Sequence, residues 1–379
     1  MGQAQQAVAE AAAHVLGGHG RGQAAARRGQ AGQPSGGVGP GAPATGHRGL
    51  TAGQDDRGDR ALWKELAQAD LLGLAVPGWL GGEGLGVAET AVLLTEAGRA
   101  AAPVPALATL VMGVLPVTRW GTRDQQRALL AGVAAGDVLL TAAVREPSAP
   151  APPEPAATLR DGIVSGTKIG VPYAAAASWI LVPARVGSGG TAIAVFEPSG
   201  PGVTLRRTPS SAPAPEYTLR LDAAPAAHIL GGDGAVAGLY QLTAAGACCL
   251  ADGALAAALA LTTEHVRARQ QFGRPLATFQ AVAQQIADIA IASRTLHLAA
   301  LSACWRLDTG RDAGEDTDVA AYWLAAQAPA AMRACHHLHG GTGMDASYPL
   351  HRYSALVKDL VSLVGGADYR LGLLGGRAG

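Results

Sequence analysis

The chain has 379 residues, 49% of them hydrophobic, and its 29 Lys and Arg are balanced by 29 Asp and Glu. That length buries a sizeable core and predicts two or three domains of a soluble globular protein, while the neutral charge offers no basic footprint for nucleic acid. No uninterrupted apolar run approaches the ~18 residues a membrane helix needs, and no basic region followed by an apolar core opens the chain, so no membrane association and a cytoplasmic location are expected.

Residues 3–16 predict one helix. Residues 17–58 are rich in Gly, Pro, Gln and Arg without apolar periodicity, which predicts loop or disorder. From Asp59 the helical period resumes, with Leu62, Trp63, Leu66, Leu71 and Leu72 on one face. A turn-rich stretch, Pro77 to Gly82, precedes helices expected at Val87 to Ala101 and Pro105 to Trp120. An all-α first domain over 1–120 follows.

Near Val138 the pattern changes. Short β-branched runs at Val138 to Val144, Gly162 to Gly166, Trp179 to Ala184, Thr191 to Glu197, Val203 to Arg207 and Tyr217 to Leu221 predict a small antiparallel β domain over 121–235. Ser148 to Ala157, mostly Pro and Ala, is no central strand. From Val236 four long helices are expected, at Leu239 to Arg269, Phe279 to Thr309, Asp316 to His337 and Pro349 to Leu374. With short connections they form an antiparallel four-helix bundle over 236–379. Four cysteines, two adjacent at Cys248 and Cys249, have neither metal-ligand spacing nor a disulfide framework and read as small buried apolar residues.

Two motifs stand out near the C-terminal end, Arg269-Gln270-Gln271-Phe272-Gly273-Arg274-Pro275-Leu276 and His339-Gly340-Gly341-Thr342-Gly343. With Leu71-Leu72-Gly73-Leu74-Ala75-Val76-Pro77, Gly166-Thr167-Lys168 and the α, β, α order of domains, they resemble the acyl-CoA dehydrogenase family from about residue 59 to the end. The resemblance implies that family's α+β multidomain fold: N-terminal helical domain, middle β domain and C-terminal four-helix bundle. It also implies FAD as cofactor, an acyl-CoA substrate, and an acceptor such as electron-transfer flavoprotein. In the family a Glu removes the α proton of the thioester while the β hydrogen leaves as hydride to the flavin.

The resemblance places that Glu at one of two positions. One is Val364, before Gly365; the other, twenty-six residues ahead of Arg269, is Thr243. Neither is a general base. The family's own-subunit flavin contacts differ in the same direction. Its Thr-Glu-Pro is Arg145-Glu146-Pro147 here, the following Gly-rich stretch is Ser148-Ala149-Pro150-Ala151-Pro152, its Trp-Ile-Thr is Gly170-Val171-Pro172, and its later Thr and Gln align with Gly366 and Asp368. The set that the family donates across a subunit boundary to the ADP half of a neighbour's FAD remains in Arg269, Gln271, Phe272, Gly340 and Gly341, with His337 at the contact where the family often has a Gln. A guanidinium fork suits a pyrophosphate, and glycines let backbone approach the nucleotide.

Blander roles stand beside these. Arg269 could be a solvated surface charge. His336, His337 and His339 resemble a metal spacing, but no carboxylate or cysteine set completes it. Asp345, Asp359 and Asp368 are candidate substitute bases that more commonly cap helices, and His351 and Arg352 suit a structural entry into the last helix. The losses and retentions resemble the base-lacking subunit of heteromeric α2β2 acyl-CoA dehydrogenases of actinobacteria, including those acting on steroid side-chain CoA thioesters. That implies a homologous partner subunit carrying the catalytic Glu. Two alternatives remain open: a homo-oligomer using the fold for another chemistry on a CoA- or carrier-bound acyl group, and a non-catalytic scaffold.

Overall fold

The computed structural model describes residues 2–30, 58–187, 189–211, 214–232 and 234–378. The first helix, α1 (Gln3–Gln30), runs beyond the last residue of its apolar pattern, Leu16, into the stretch expected to be loop. Val8, Ala12 and Leu16 recur at four-residue spacing and are its buried face. The rest of the Gly-rich segment, 31–57, lies outside the described residues.

Helix α2 (Arg60–Gln68) starts where Asp59 accepts the Leu62 amide at 3.0 Å, and it buries Leu62, Trp63 and Leu66. Helix α3 (Val87–Arg99) follows. The next run is wound as a π-helix over Leu107–Val114 before continuing as α4 (Leu115–Trp120). A further helix, α5 (Arg123–Leu130), opens on a Thr122/Gln125 capping box. Its polar sequence hid it, and it places helix inside the stretch expected to begin the β domain.

The sheet comprises β1 (Leu140–Ala142), β2 (Thr158–Arg160), β3 (Ile163–Pro172), β4 (Trp179–Val186), β5 (Thr191–Phe196), β6 (Val203–Thr208), β7 (Glu216–Pro225) and β8 (His228–Leu230). Their order is β6-β7-β3-β2-β4-β5-β8, with β1 also on β4. The expected antiparallel sheet is in fact mixed, because β1 and β2 both run parallel to β4. Parallel pairing needs a crossover rather than a hairpin, and the Pro-rich segment between β1 and β2 supplies part of one. The β3–β7 ladder slips between Val164 and Gly166 and again between Lys168 and Val171. The second slip frees Ile169 to bridge Arg145.

The C-terminal half holds α6 (Ala235–Ala268), a small hairpin of β9 (Gln270–Gln271) and β10 (Arg274–Pro275), α7 (Gln280–Asp308), α8 (Gly314–His339), α9 (Leu350–Val364) and α10 (Ala367–Ala378). The expected fourth helix is therefore two, broken at Gly365 and Gly366, both with positive φ. Helices α6 and α7 are long and apolar enough to cross a membrane, a property hidden from a search for uninterrupted runs because small and polar residues punctuate them. The most apolar stretch of α6 is 67% buried, among α3, α7, α8 and α9. That of α7 is 28% buried, and Ile291, Leu298, Leu301 and Trp305 are exposed on it. All four cysteines are free and buried, as expected of small apolar residues.

Candidate functional site

The sequence-predicted residues fall into two places. The first is the end of the bundle where α6 and α8 finish side by side: the imidazoles of His265 on α6 and His339 on α8 stack with centroids 4.4 Å apart. Helix α6 stops at Ala268, and Arg269 turns to an extended conformation while its amide still donates to the His265 carbonyl at 2.8 Å. The β9–β10 hairpin reverses through Phe272 (φ 53°) and Gly273 (φ 77°), the two left-handed residues of a tight hairpin turn. A phenylalanine there is strained, and its ring is 88% exposed. Its edge meets Phe279 at 6.1 Å, and the Arg274 guanidinium covers Phe279 at 4.1 Å. Arg269 and Gln271 are exposed on the same hairpin, just past an open groove of about 580 Å³ lined by Ala260, Thr263, Glu264, Arg267 and Ala268.

Gly340 and Gly341 begin a 3-10 turn (Gly340–Met344) at the end of α8. They are exposed, as is His337. Gly340 has φ 55° and ψ −135°, a conformation open to glycine, and its amide donates back to His336 and His337. The six candidates thus share one exposed end of the bundle.

The neighbouring histidines are struts. His339 Nδ1 donates to the Cys335 carbonyl at 2.8 Å, leaving Nε2 to accept from the Tyr348 hydroxyl at 3.0 Å. His336 bridges the Gly343 carbonyl and the Ser354 hydroxyl. Burial lowers the pKa of both His339 and His265, which disfavours charge on either stacked ring. Among the described residues no group of three or more His, Cys, Asp or Glu is placed to hold a metal.

The second place is the seam where the sheet and its connections pack against α9 and its junction with α10. Arg145 extends its guanidinium across Gly170, where an added Cβ would lie 2.5 Å from Nη1; Gly170 also has φ 58°. Beyond it stands Glu216, a partly buried acid that opens β7 one residue ahead of the strand expected from Tyr217. Burial raises its pKa, the Asp359 charge raises it further, and Arg145 opposes both. Asp359 accepts from the Ser210 hydroxyl at 2.6 Å and the Ser211 amide at 3.3 Å, a pinning role.

The remaining acids considered as bases are also accounted for. Asp345 accepts from the amide and hydroxyl of Ser347, which lower its pKa, and Asp368 is exposed in the first turn of α10. Thr243 donates to the Leu239 carbonyl within its own helix, and Val364 is 1% exposed in the apolar core. His351 donates to the Tyr348 carbonyl, a structural contact at the helix entry.

Two motifs that the sequence kept apart meet beside this seam. Lys168 Nζ lies 2.7 Å from Glu146 Oε1, and the same carboxylate accepts the amides of Ala156 and Ala157. The Tyr240 hydroxyl is buried close by without a hydrogen-bond partner among the described residues. Its pKa is raised, first by burial and then by Glu146 and Tyr369.

Comparison with known proteins bears on both places. The model described as acyl-CoA dehydrogenase, N-terminal domain, matches residues 49–137, and that described as acyl-CoA dehydrogenase, C-terminal domain, matches residues 224–368. Acyl-CoA dehydrogenase FadE28 of Mycobacterium tuberculosis (strain ATCC 25618 / H37Rv) is 48% identical over 316 residues, 83% of this chain and 91% of the relative. Among solved structures, the Tcur3481-Tcur3483 steroid ACAD variant superposes with a TM-score of 0.86 at 32% identity, covering 99% of each chain. The ChsE4-ChsE5 complex from Mycobacterium tuberculosis gives 0.85 at 28% identity, covering 100% of this chain and 98% of that one. With this fold, these motifs and a relative at nearly half identity, the chain belongs to the acyl-CoA dehydrogenase family.

Proposed function

We propose that this chain is one subunit of a two-subunit acyl-CoA dehydrogenase, that it clasps the ADP half of a FAD seated mainly in a homologous partner, and that the partner carries the Glu that takes the α proton. The observation that carries the reading is a contrast within one chain. At the bundle end, a guanidinium, an amide side chain, an exposed aromatic ring and two open glycines face outward together. At the seam between the sheet and α9, Arg145 lies over Gly170 and Val364 faces the core, which leaves neither a carboxylate at position 364 nor open space above Gly170.

The residues at the bundle end fit a nucleotide diphosphate. Arg269 would hold the pyrophosphate by a two-pronged charge-assisted contact, and Gln271 and His337 would add donors. Phe272 would wall the adenosine, and the Gly340 and Gly341 backbone would approach it closely. Bound FAD supplies the hydride acceptor for the β hydrogen of the thioester. The chain's part is to bind and orient, which in a shared site governs occupancy of the cofactor rather than the proton transfer. The substrate class proposed is an acyl-CoA thioester, with steroid side-chain thioesters suggested by the likeness to the Tcur3481-Tcur3483 steroid ACAD. An electron-transfer flavoprotein is the proposed acceptor.

The test is co-expression with a Glu-bearing homologous subunit, followed by dye-linked oxidation of fatty-acyl and steroid side-chain CoA thioesters. Activity by the pair, absent from this chain alone, with FAD lost on Arg269→Ala, is the expected result. A yellow, active homo-oligomer contradicts the reading. An Arg269→Ala pair with unchanged FAD and turnover favours a scaffold.

A further inference from the structure

The six clasp residues come from two separate stretches of chain: the segment after α6 (Arg269, Gln271, Phe272) and the end of α8 with its 3-10 turn (His337, Gly340, Gly341). A clasp made of two pieces holds a ligand only when their spacing is fixed. Side chains tie α6 to α8 at this end. Buried Thr262 on α6 meets Cys335 on α8, and one turn further out the His265 and His339 rings stack with 24° between their planes. Neither histidine is one of the six, yet each adjoins them. The His265 carbonyl accepts the Arg269 amide at 2.8 Å, and Gly340 follows His339 in the chain.

The His339 ring is itself held. Both of its nitrogens are engaged, by the Cys335 carbonyl and the Tyr348 hydroxyl, which fixes the plane of the imidazole. The glycine turn packs directly on it: an added Cβ at Gly343 would lie 2.9 Å from His339 Cβ. His336 Nδ1 bonds the Gly343 carbonyl, and the Tyr348 amide donates to the Asp345 carbonyl at 3.0 Å, which closes the turn on the same residues. His339 is 4% exposed, so its ring faces His265 and the interior rather than a ligand. An aliphatic side chain at 265 would fill the same volume, but a flat ring on a flat ring fixes an angle as well as a distance.

We propose that His265 and His339 are positioning residues of the clasp: their stacked rings set the separation between the Arg269 hairpin and the Gly340–Gly341 turn, so that both halves meet the nucleotide together, while neither ring touches it. This role rests on the shared-site reading above, because only a nucleotide at this end needs the two halves aligned. Loss of the stack lowers affinity for FAD and leaves turnover by each bound FAD unchanged, a split that general loosening of the fold does not produce.

The experiment titrates FAD into the deflavinated, co-purified pair by flavin fluorescence, with thermal unfolding of the FAD-free pair alongside. His265→Leu, which keeps apolar bulk without a flat ring, is expected to raise the FAD dissociation constant about tenfold, the upper end of what an aromatic pair contributes, with turnover per bound FAD unchanged. His265→Phe is expected to bring affinity back to within about twofold of wild type. Tyr348→Phe removes only the hydroxyl that orients His339 and serves if His265→Leu fails to fold; it is expected to weaken FAD about threefold. Unchanged affinity in a folded His265→Leu pair or in Tyr348→Phe, or a loss that His265→Phe does not restore, overturns the role. So does a fall of more than about 5 °C in the unfolding temperature of the FAD-free His265→Leu pair, the mark of a merely structural contact. Arg269→Ala separates the two claims. FAD lost with Arg269→Ala but kept with His265→Leu defeats the positioning role alone, whereas FAD kept with both defeats the shared-site reading.

Discussion

Lys168 and Glu146 form an ion pair 2.7 Å apart with side chains 0% and 1% exposed, the most deeply buried charges described in the chain. One belongs to the Gly166-Thr167-Lys168 motif on β3 and the other opens the proline-rich segment between β1 and β2, so the pair fastens that segment to the sheet. Removing one partner strands the other in a medium that solvates charge poorly. Lys168→Met is expected to lower unfolding free energy by about 3–5 kcal/mol, and Glu146→Gln with Lys168→Met together by less than either alone. Urea denaturation of the three variants checks the order.

The pair also sets an acid limit. Burial opposes ionisation of Glu146, but hydrogen bonds from Lys168, Ala156 and Ala157 outweigh it and hold its pKa below the ordinary value. A group with a depressed folded pKa contributes fully above its unfolded pKa of about 4.3 and loses that contribution as pH falls through the folded value. The urea midpoint is expected to drop below about pH 4, with a smaller drop in Glu146→Gln.

Gly170 reports the closeness of Arg145. An alanine there bears both a left-handed φ and a clash with the guanidinium. Gly170→Ala should cost about 1–3 kcal/mol, and adding Arg145→Ala should relieve the clash and leave only the backbone part, about 1 kcal/mol. A double-mutant cycle by thermal or urea unfolding measures the difference.

The His265–His339 stack tolerates protonation poorly, since burial lowers both pKa values. As pH falls below about 6.5 the unfolded chain takes protons that the folded one resists, so stability at this end falls with acidification and is fully present above that value. Hydrogen exchange across 336–345, corrected for intrinsic rates, should be faster at pH 5.5 than at 7.5. His265→Phe, which keeps the stack without the charge, should flatten the dependence.

Asp318 holds two arginines, one of them buried. Asp318→Ala is expected to cost about 3–5 kcal/mol, because Arg370 is left charged in the interior, and to fray α10 first. Exchange rates in α10 against those in α6 check it.

Much of the architecture was legible in the chain because long periods repeat many times. The bundle helices and six strands follow from apolar spacing alone, and Asp59 marks its helix start by type. What escaped was short or non-local. Helix α5 is polar on most faces, β2 and β8 are three residues each, and parallel pairing of β1 with β4 is a tertiary fact. The break at Gly365 and Gly366 was written in the sequence as adjacent glycines but was overridden by the apolar period around it. At the candidate site, the family motifs pointed to residues that share the bundle end and to others along the seam of the sheet with α9. Glu216, the Tyr240 hydroxyl and the grip of Tyr369 on Ala151 carry no local signal, because each depends on chain segments more than a hundred residues apart or on burial.

The division of labour between two subunits is tested most directly by counting cofactor. FAD released from a purified, co-expressed pair and measured against the concentration of each subunit is predicted to give one FAD per pair, falling toward zero with Arg269→Ala in this chain alone. Two FAD per pair, or a full complement retained by the Arg269→Ala pair, would contradict the account.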